Sequence, residues 1–289
     1  MTLPLSLREV LVPTDLSPGA ERAFEHARLL CKRFGARMTL YHAVEEPDPI
    51  FAHWAFAHAH QVWCQASLAA ESALRCWAGR VDDAKVDVVV ERTTSAHRAL
   101  VERIKATRPD LTVMGTHARE GLSHLLLGSV TEKVIQQVHR PVLCTRSTEH
   151  CDSVPYKRVL VPTDLSLASR LPYPLARLLA EAFDAEIVGL HVVPGATLAT
   201  LSGIPEGRPT VIPSEAHLWK FFQQDFEGLP VTAQVCSGPV WERIVHVARV
   251  EKADLIVMST RGHDSFADRI LGSNTERVVR HAPCPVLVA

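Results

Sequence analysis

VLVPTDLS (Val10–Ser17) occurs twice in this chain, the second time unchanged at Val159–Ser166, an offset of 149 residues. Further matches follow in the same order. LLGSVTEKV (Leu126–Val134) returns as ILGSNTERV (Ile270–Val278), and RPVLC (Arg140–Cys144) as CPVLV (Cys284–Val288), both at an offset of 144. Two identical octapeptides in 289 residues do not arise by chance. Ordered matches at near-constant spacing mark a duplicated domain, with the second copy shorter in its middle. The length suits two ordinary domains with separate cores. The polar stretch Ser147–Pro155 sets the boundary, giving domains 1–147 and 156–289.

Around the octapeptides, short apolar runs alternate with longer helical patterns. In the first copy the spacing predicts strands at Glu9–Pro13, Arg37–Ala43, Val86–Arg92, Leu111–Gly115 and Pro141–Thr145. Helices are predicted near Ala20–Phe34, Gln61–Arg80, Ala96–Thr107 and Val130–Val138. The second copy repeats the order, with strands near Arg158–Pro162, Glu186–Val192, Val231–Val235, Leu255–Ser259 and Val286–Ala289. Its helices are predicted near Ser169–Phe183, Ser214–Phe226, Val240–Val250 and Asn274–Arg280. Continuous apolar strands of this length are buried on both faces. Their alternation with helices implies right-handed βαβ units and a doubly wound α/β fold with a five-stranded parallel sheet in each copy.

Composition excludes several classes. Hydrophobic residues make up 47% and charged residues 22%, a globular balance, and the net charge is -1. That balance argues against a protein that coats nucleic acid or lies on a membrane surface. No apolar run is long enough for a membrane span, and the first residues lack the pattern of a signal peptide. Seven cysteines without CxxC spacing suit reduced thiols. A cytoplasmic protein is expected. Cys144 and Cys284 read as small buried hydrophobes.

In an open parallel sheet, ligands bind beyond the carboxyl ends of the strands where strand order reverses. Three loops in each copy lie there. One carries Pro13, Thr14 and Asp15, or Pro162, Thr163 and Asp164; another follows the second strand near Val44 or Val193. The third follows the fourth strand. It runs from Met114, Gly115, Thr116 and His117 to Gly128, Ser129 and Val130 in copy one, and from Met258 and Ser259 through Gly262 to Gly272, Ser273 and Asn274 in copy two. Glycine and serine opening a helix suit a phosphate, because backbone N–H groups there point at an anion. SVTE (Ser129–Glu132) and SNTE (Ser273–Glu276) also fit capping boxes, which need no ligand. Asp15 and Asp164 either line a nucleotide cleft or cap the next helix, a task Ser17 and Ser166 could share.

VPTD, VMG, a glycine-bearing loop into GS and a last PVLV strand together resemble the universal stress protein family, over nearly the whole chain and twice. The resemblance implies an adenine-nucleotide ligand, ATP, AMP or ADP, with Mg2+, and a stress or regulatory role. The family's loop has glycine, two residues, glycine, nine residues, glycine, then serine or threonine. Copy one supplies Gly115, Gly128 and Ser129 but has Ala118 at the second glycine; copy two supplies Gly262, Gly272 and Ser273 but has Ser259 at the first. Ala118 adds a methyl where phosphates would lie, whereas Ser259 ends a strand, so copy two is expected to carry the better loop.

No GxxxxGK[ST], GxGxxG or GxSxG string is present, and neither loop contains a lysine to stabilise a transferring phosphoryl group. Holding a nucleotide, with little or no turnover, is therefore expected. A slow nucleotide hydrolase using Asp15, Asp164, His117 or His263, and a nucleotide-free interaction module, are the rivals. The segment Pro47–Trp63 holds His53, His58 and His60 among aromatic residues, but only His60 and Cys64 have i,i+4 spacing, so packing is expected there and no metal. The last strands, Pro141–Thr145 and Val286–Ala289, could pair within the chain and hide two sheet edges. An internal pseudo-dimer is expected, with a further homodimer or an unidentified protein partner possible.

Overall fold

A computed structural model describes residues 6–46, 56–82, 84–116, 128–146, 156–194, 214–260 and 272–289, with backbone alone over 56–60. The chain folds as two units, 6–152 and 153–289. The first contains β1 (Glu9–Pro13), α1 (Pro18–Phe34), β2 (Arg37–Glu45), α2 (Phe56–Ala78), β3 (Val86–Thr93), α3 (Ala96–Thr107), β4 (Leu111–Gly115), α4 (Ser129–Gln137) and β5 (Val142–Thr145). The second contains β6 (Arg158–Thr163), a 3-10 turn (Ala168–Arg170), α5 (Tyr173–Phe183), β7 (Glu186–Pro194), α6 (Glu215–Asp225), β8 (Val231–Gly238), α7 (Val240–Val250), β9 (Leu255–Met258), α8 (Ser273–His281) and β10 (Val286–Val288).

Strand order in the first unit is β3-β2-β1-β4-β5, and in the second β8-β7-β6-β9-β10. Every pairing within a unit is parallel. Val10 aligns with Leu111 in one unit and Val159 with Leu255 in the other. The central strands are buried along almost their whole length, as their unbroken apolar runs require.

Local chemistry sets the helix ends. Ser17 caps α1 by accepting from the Ala20 N–H, Pro18 opens the first turn, and Gly35 closes the helix at φ 65 with its N–H on Cys31 O. Ala20, Ala23, Phe24, Ala27, Leu30 and Cys31 form the buried face. In the second unit Asp184 takes Gly35's place at φ 55, a conformation that Asp tolerates better than most residues. There the predicted start at Ser169 is wrong. Pro172 lacks an N–H and would clash inside a helix, so residues 168–170 form a 3-10 turn and α5 begins at Tyr173, with Pro174 in its first turn. Helix α2 begins at Phe56, before the expected Gln61, because the aromatic insert continues the helix backward.

One side-chain device fixes the central strands. The Asp110 carboxylate accepts the N–H groups of Arg8 (2.7 Å) and Glu9 (3.0 Å), tying the start of β1 to the start of β4. Asp254 does the same for Lys157 (2.8 Å) and Arg158 (2.9 Å). Charge-assisted bonds of this kind are the stronger ones. Asp110→Ala is expected to lower the stability of the first unit by about 2 kcal/mol, read from urea unfolding.

His26, on α1, is 2% exposed. Burial, helped by Arg22, pulls its pKa from 6.5 down to about 4. Between those values the unfolded chain binds a proton that the folded one refuses, so stability falls as pH drops from about 6.5 towards about 4. The loss has an upper bound of about 3 kcal/mol. His26→Gln should flatten the dependence of unfolding free energy on pH across that window, and an unchanged slope would remove His26 as its source.

Candidate functional site

In the first unit the connections from β1 and β4 leave toward opposite sides of the sheet, which opens a crevice at the carboxyl ends of the two strands. A cleft of about 170 Å³ lies there. Its walls are Pro13, Thr14 and Asp15 after β1, Tyr41, His42 and Ala43 on β2, and Ala96 and Leu100 on α3. Ala20, Met114, Gly115, Thr116 and the first turn of α4 (Gly128, Ser129, Val130 and Thr131) complete it. Much of the lining is apolar, with backbone N–H groups and one carboxylate at the edge. Tyr41 donates to Glu91 Oε2 (3.2 Å), and Arg103 lies 5.1 Å from its ring centre. Burial first, then the Glu91 carboxylate, push the Tyr41 phenol pKa upward, so the phenol keeps its proton.

The start of α4 overturns the capping-box expectation. Gly128, not Ser129, is the N-cap residue, and no side chain caps the helix. Ser129 is the first helical residue, one position too late for a capping box. Thr131 instead turns its hydroxyl outward from the helix and donates to the carbonyl of Gly115 at 2.8 Å. The Gly128 N–H donates to Thr116 O at 2.6 Å. These bonds hold the helix start against the strand end, and the first-turn N–H groups keep no acceptor within the helix. The second unit repeats the arrangement, with Gly272 as N-cap, Thr275 donating to Ser259 O (3.1 Å) and Gly272 N–H to Thr260 O (3.0 Å).

The turn after β1 is equally specific. Asp15 does not cap α1; its Oδ1 accepts the Ser17 N–H (3.0 Å), and Ser17 supplies the cap. Thr14 Oγ1 accepts the Leu16 N–H (2.9 Å), and Leu16 sits at φ 63. Asp164, Thr163 and Leu165, at φ 64, repeat the two side-chain bonds and the left-handed residue in the second unit. Pro162, Met258, Ser273, Asn274 and the half-buried Val193 occupy the matching strand ends and helix start there.

Gly115 serves close approach rather than unusual torsion: a Cβ there would lie 3.0 Å from Gly19 O at the start of α1. Ser259 carries that Cβ in the second unit, where Ala168, at the 149-residue offset from Gly19, belongs to the 3-10 turn Ala168–Arg170 instead of a helix start. The expected tolerance of Ser259 thus accompanies a rebuilt neighbour. Ser169 fills the place of Ala20 and bonds Thr163 Oγ1 through its hydroxyl at 2.8 Å.

Of the predicted residues, Pro13, Thr14, Asp15, Met114, Gly115, Gly128, Ser129 and Val130 converge on the cleft. Val44 is buried and does not line it; Ala43, one position earlier, does. Gly262, with His117, Ala118 and His263, lies outside the described residues, as do His53 and the side chains of His58 and His60. His42 was missed, although at the 149-residue offset it coincides with His191. Cys144 and Cys284 are buried, as expected. No helix among the described residues is long and apolar enough to cross a membrane.

The sequence profile of the universal stress protein family matches residues 6–146 and again 155–289. The chain belongs to this family. A universal stress protein of Methanocaldococcus jannaschii is 35% identical over 141 residues, 46% of this chain and 81% of the relative. Another, of Mycolicibacterium smegmatis, is 35% identical over 140 residues, 47% of this chain but 45% of its own length. A solved universal stress protein from Archaeoglobus fulgidus shares the fold, with a TM-score of 0.74 at 22% identity, covering 100% of this chain and 98% of that one.

A methyl group added at Gly128 would lie 2.8 Å from the Thr116 carbonyl oxygen, whereas at Gly272 the matching distance to Thr260 O is 3.3 Å. Gly128→Ala should therefore destabilise its unit by about 2 kcal/mol and Gly272→Ala by less than about 1 kcal/mol, measured by chemical denaturation. Equal costs would show that the strand end simply yields.

Proposed function

We propose that the first unit's cleft binds an adenine nucleotide, ATP, ADP or AMP, with Mg2+ accompanying the polyphosphate. The observation that carries this reading is the uncapped start of α4. Its Gly128 offers no side chain to the first-turn N–H groups, and these groups border a largely apolar slot. A phosphate satisfies such groups, and the helix dipole favours its charge. The slot beside them, with Ala20, Ala43, Leu100 and Met114, suits a flat base, and the Asp15 carboxylate suits ribose hydroxyls. Membership of the universal stress protein family supports a regulatory, stress-resistance role in the cytoplasm. With no lysine in the loop after β4, the protein holds its nucleotide with little or no turnover.

Calorimetric titration of ATP, ADP and AMP, with Mg2+, into wild type, Ser129→Asp and Ser273→Asp tests this. An acidic residue in the first turn suits the helix dipole, so the unfolding midpoint should hold while the added charge repels phosphate. Ser129→Asp is expected to weaken binding at least about tenfold, or about 1.4 kcal/mol. Loss of one of two sites in Ser273→Asp would add the second unit as a binder. Absence of binding to wild type would overturn the reading, and release of inorganic phosphate would favour the hydrolase.

A further inference from the structure

We propose that His42 is a positioning and recognition residue of the cleft: it clamps the turn that carries Asp15 and offers its other ring nitrogen to a hydrogen-bond donor on the bound nucleoside. The recognition half rests on the nucleotide reading above; the clamp does not. His42 lies on β2 with Nδ1 2.7 Å from the carbonyl oxygen of Thr14. A carbonyl only accepts, so the ring must donate from Nδ1. In the neutral imidazole this leaves the lone pair on Nε2. His42 lines the cleft, and Nε2 has no hydrogen-bond partner among the described residues.

What the clamp holds is an uncommon piece of backbone. Leu16 sits at φ 63, where a leucine Cβ crowds its own carbonyl. Thr14 Oγ1 grips the Leu16 N–H from within the turn, and Asp15 Oδ1 grips that of Ser17. Among the described residues, His42 adds the bond that reaches this turn from another strand through a side chain. The second unit contains the whole device again: His191 Nδ1 lies 2.9 Å from Thr163 O, and Leu165 sits at φ 64. Two occurrences in divergent halves of one chain mark a required geometry.

The acceptor on Nε2 sets a demand on the ligand. It must bring a hydroxyl or amino hydrogen to that point, which a ribose or an adenine amino group can do and a bare phosphate cannot.

Long-range 15N NMR on the full-length protein at pH 8, without and with AMP, tests both halves, with His42→Phe and His42→Gln giving the assignment. His42 and His191 should each show the Nδ1–H tautomer before any ligand is added. AMP should shift the His42 Nε2 resonance and leave the tautomer in place. By calorimetry His42→Phe should bind AMP at least about tenfold more weakly, with His42→Gln, which keeps polar atoms, closer to wild type. IMP and 2′-deoxy-AMP distinguish the sources: the analogue that lacks the donor should lose its sensitivity to His42→Phe. An Nε2–H tautomer in the free protein overturns the clamp. Wild-type AMP affinity in His42→Phe overturns recognition. Failure of wild type to bind AMP, ADP and ATP overturns the nucleotide reading and recognition together, and the tautomer still decides the clamp.

Discussion

The Thr131 hydroxyl reaches back from the first turn of α4 to the carbonyl at the end of β4. The geometry of the cleft depends on this bond, because it fixes where the uncapped helix start lies relative to the turn after β1. Two glycines make the approach possible, Gly128 against Thr116 O and Gly115 against Gly19 O. The second unit keeps the hydroxyl bond through Thr275 while relaxing the close approach at Gly272 and carrying Ser259 in place of the other glycine. The bond is therefore the common element, and the tight packing is particular to the first unit.

Most of the fold was legible because its signals are local. Octapeptide identity gave the duplication, and unbroken apolar runs gave the buried strands; β1, β4, α3 and α7 have the expected bounds. The misjudged α5 start was also legible, since Pro172 forbids a helix interior. The capping register was not. Ser-x-Thr-Glu satisfies a capping box, yet it equally allows glycine as cap and threonine bonded to a distant carbonyl. Choosing between them requires knowing that the end of β4 stands beside Thr131, which no local pattern carries. Val44 and Ala43 illustrate the same gap on β2, where adjacent residues point to opposite faces of the sheet.

His42 was overlooked for a different reason. A histidine inside an apolar strand carries no signature by itself, and only superposing the two copies reveals His191 at the same position. Internal duplication thus serves as a small comparison set within one chain. Asp110 and Asp254, each gripping two backbone N–H groups, emerge in the same way.

Strand order has a consequence for synthesis. The neighbour of β1, β4, follows it only after roughly a hundred residues, about 5–20 s at ordinary elongation rates. Through that interval one edge of β1 is open. Strand β6 repeats the VLVP of β1 letter for letter and seeks a partner, β9, that resembles β4. The two halves are closely alike at their centres, and what separates them during synthesis is order, since β4 is made before β6. Refolding from denaturant removes that order, so the full-length chain released all at once can exchange central strands in a way that the nascent chain cannot.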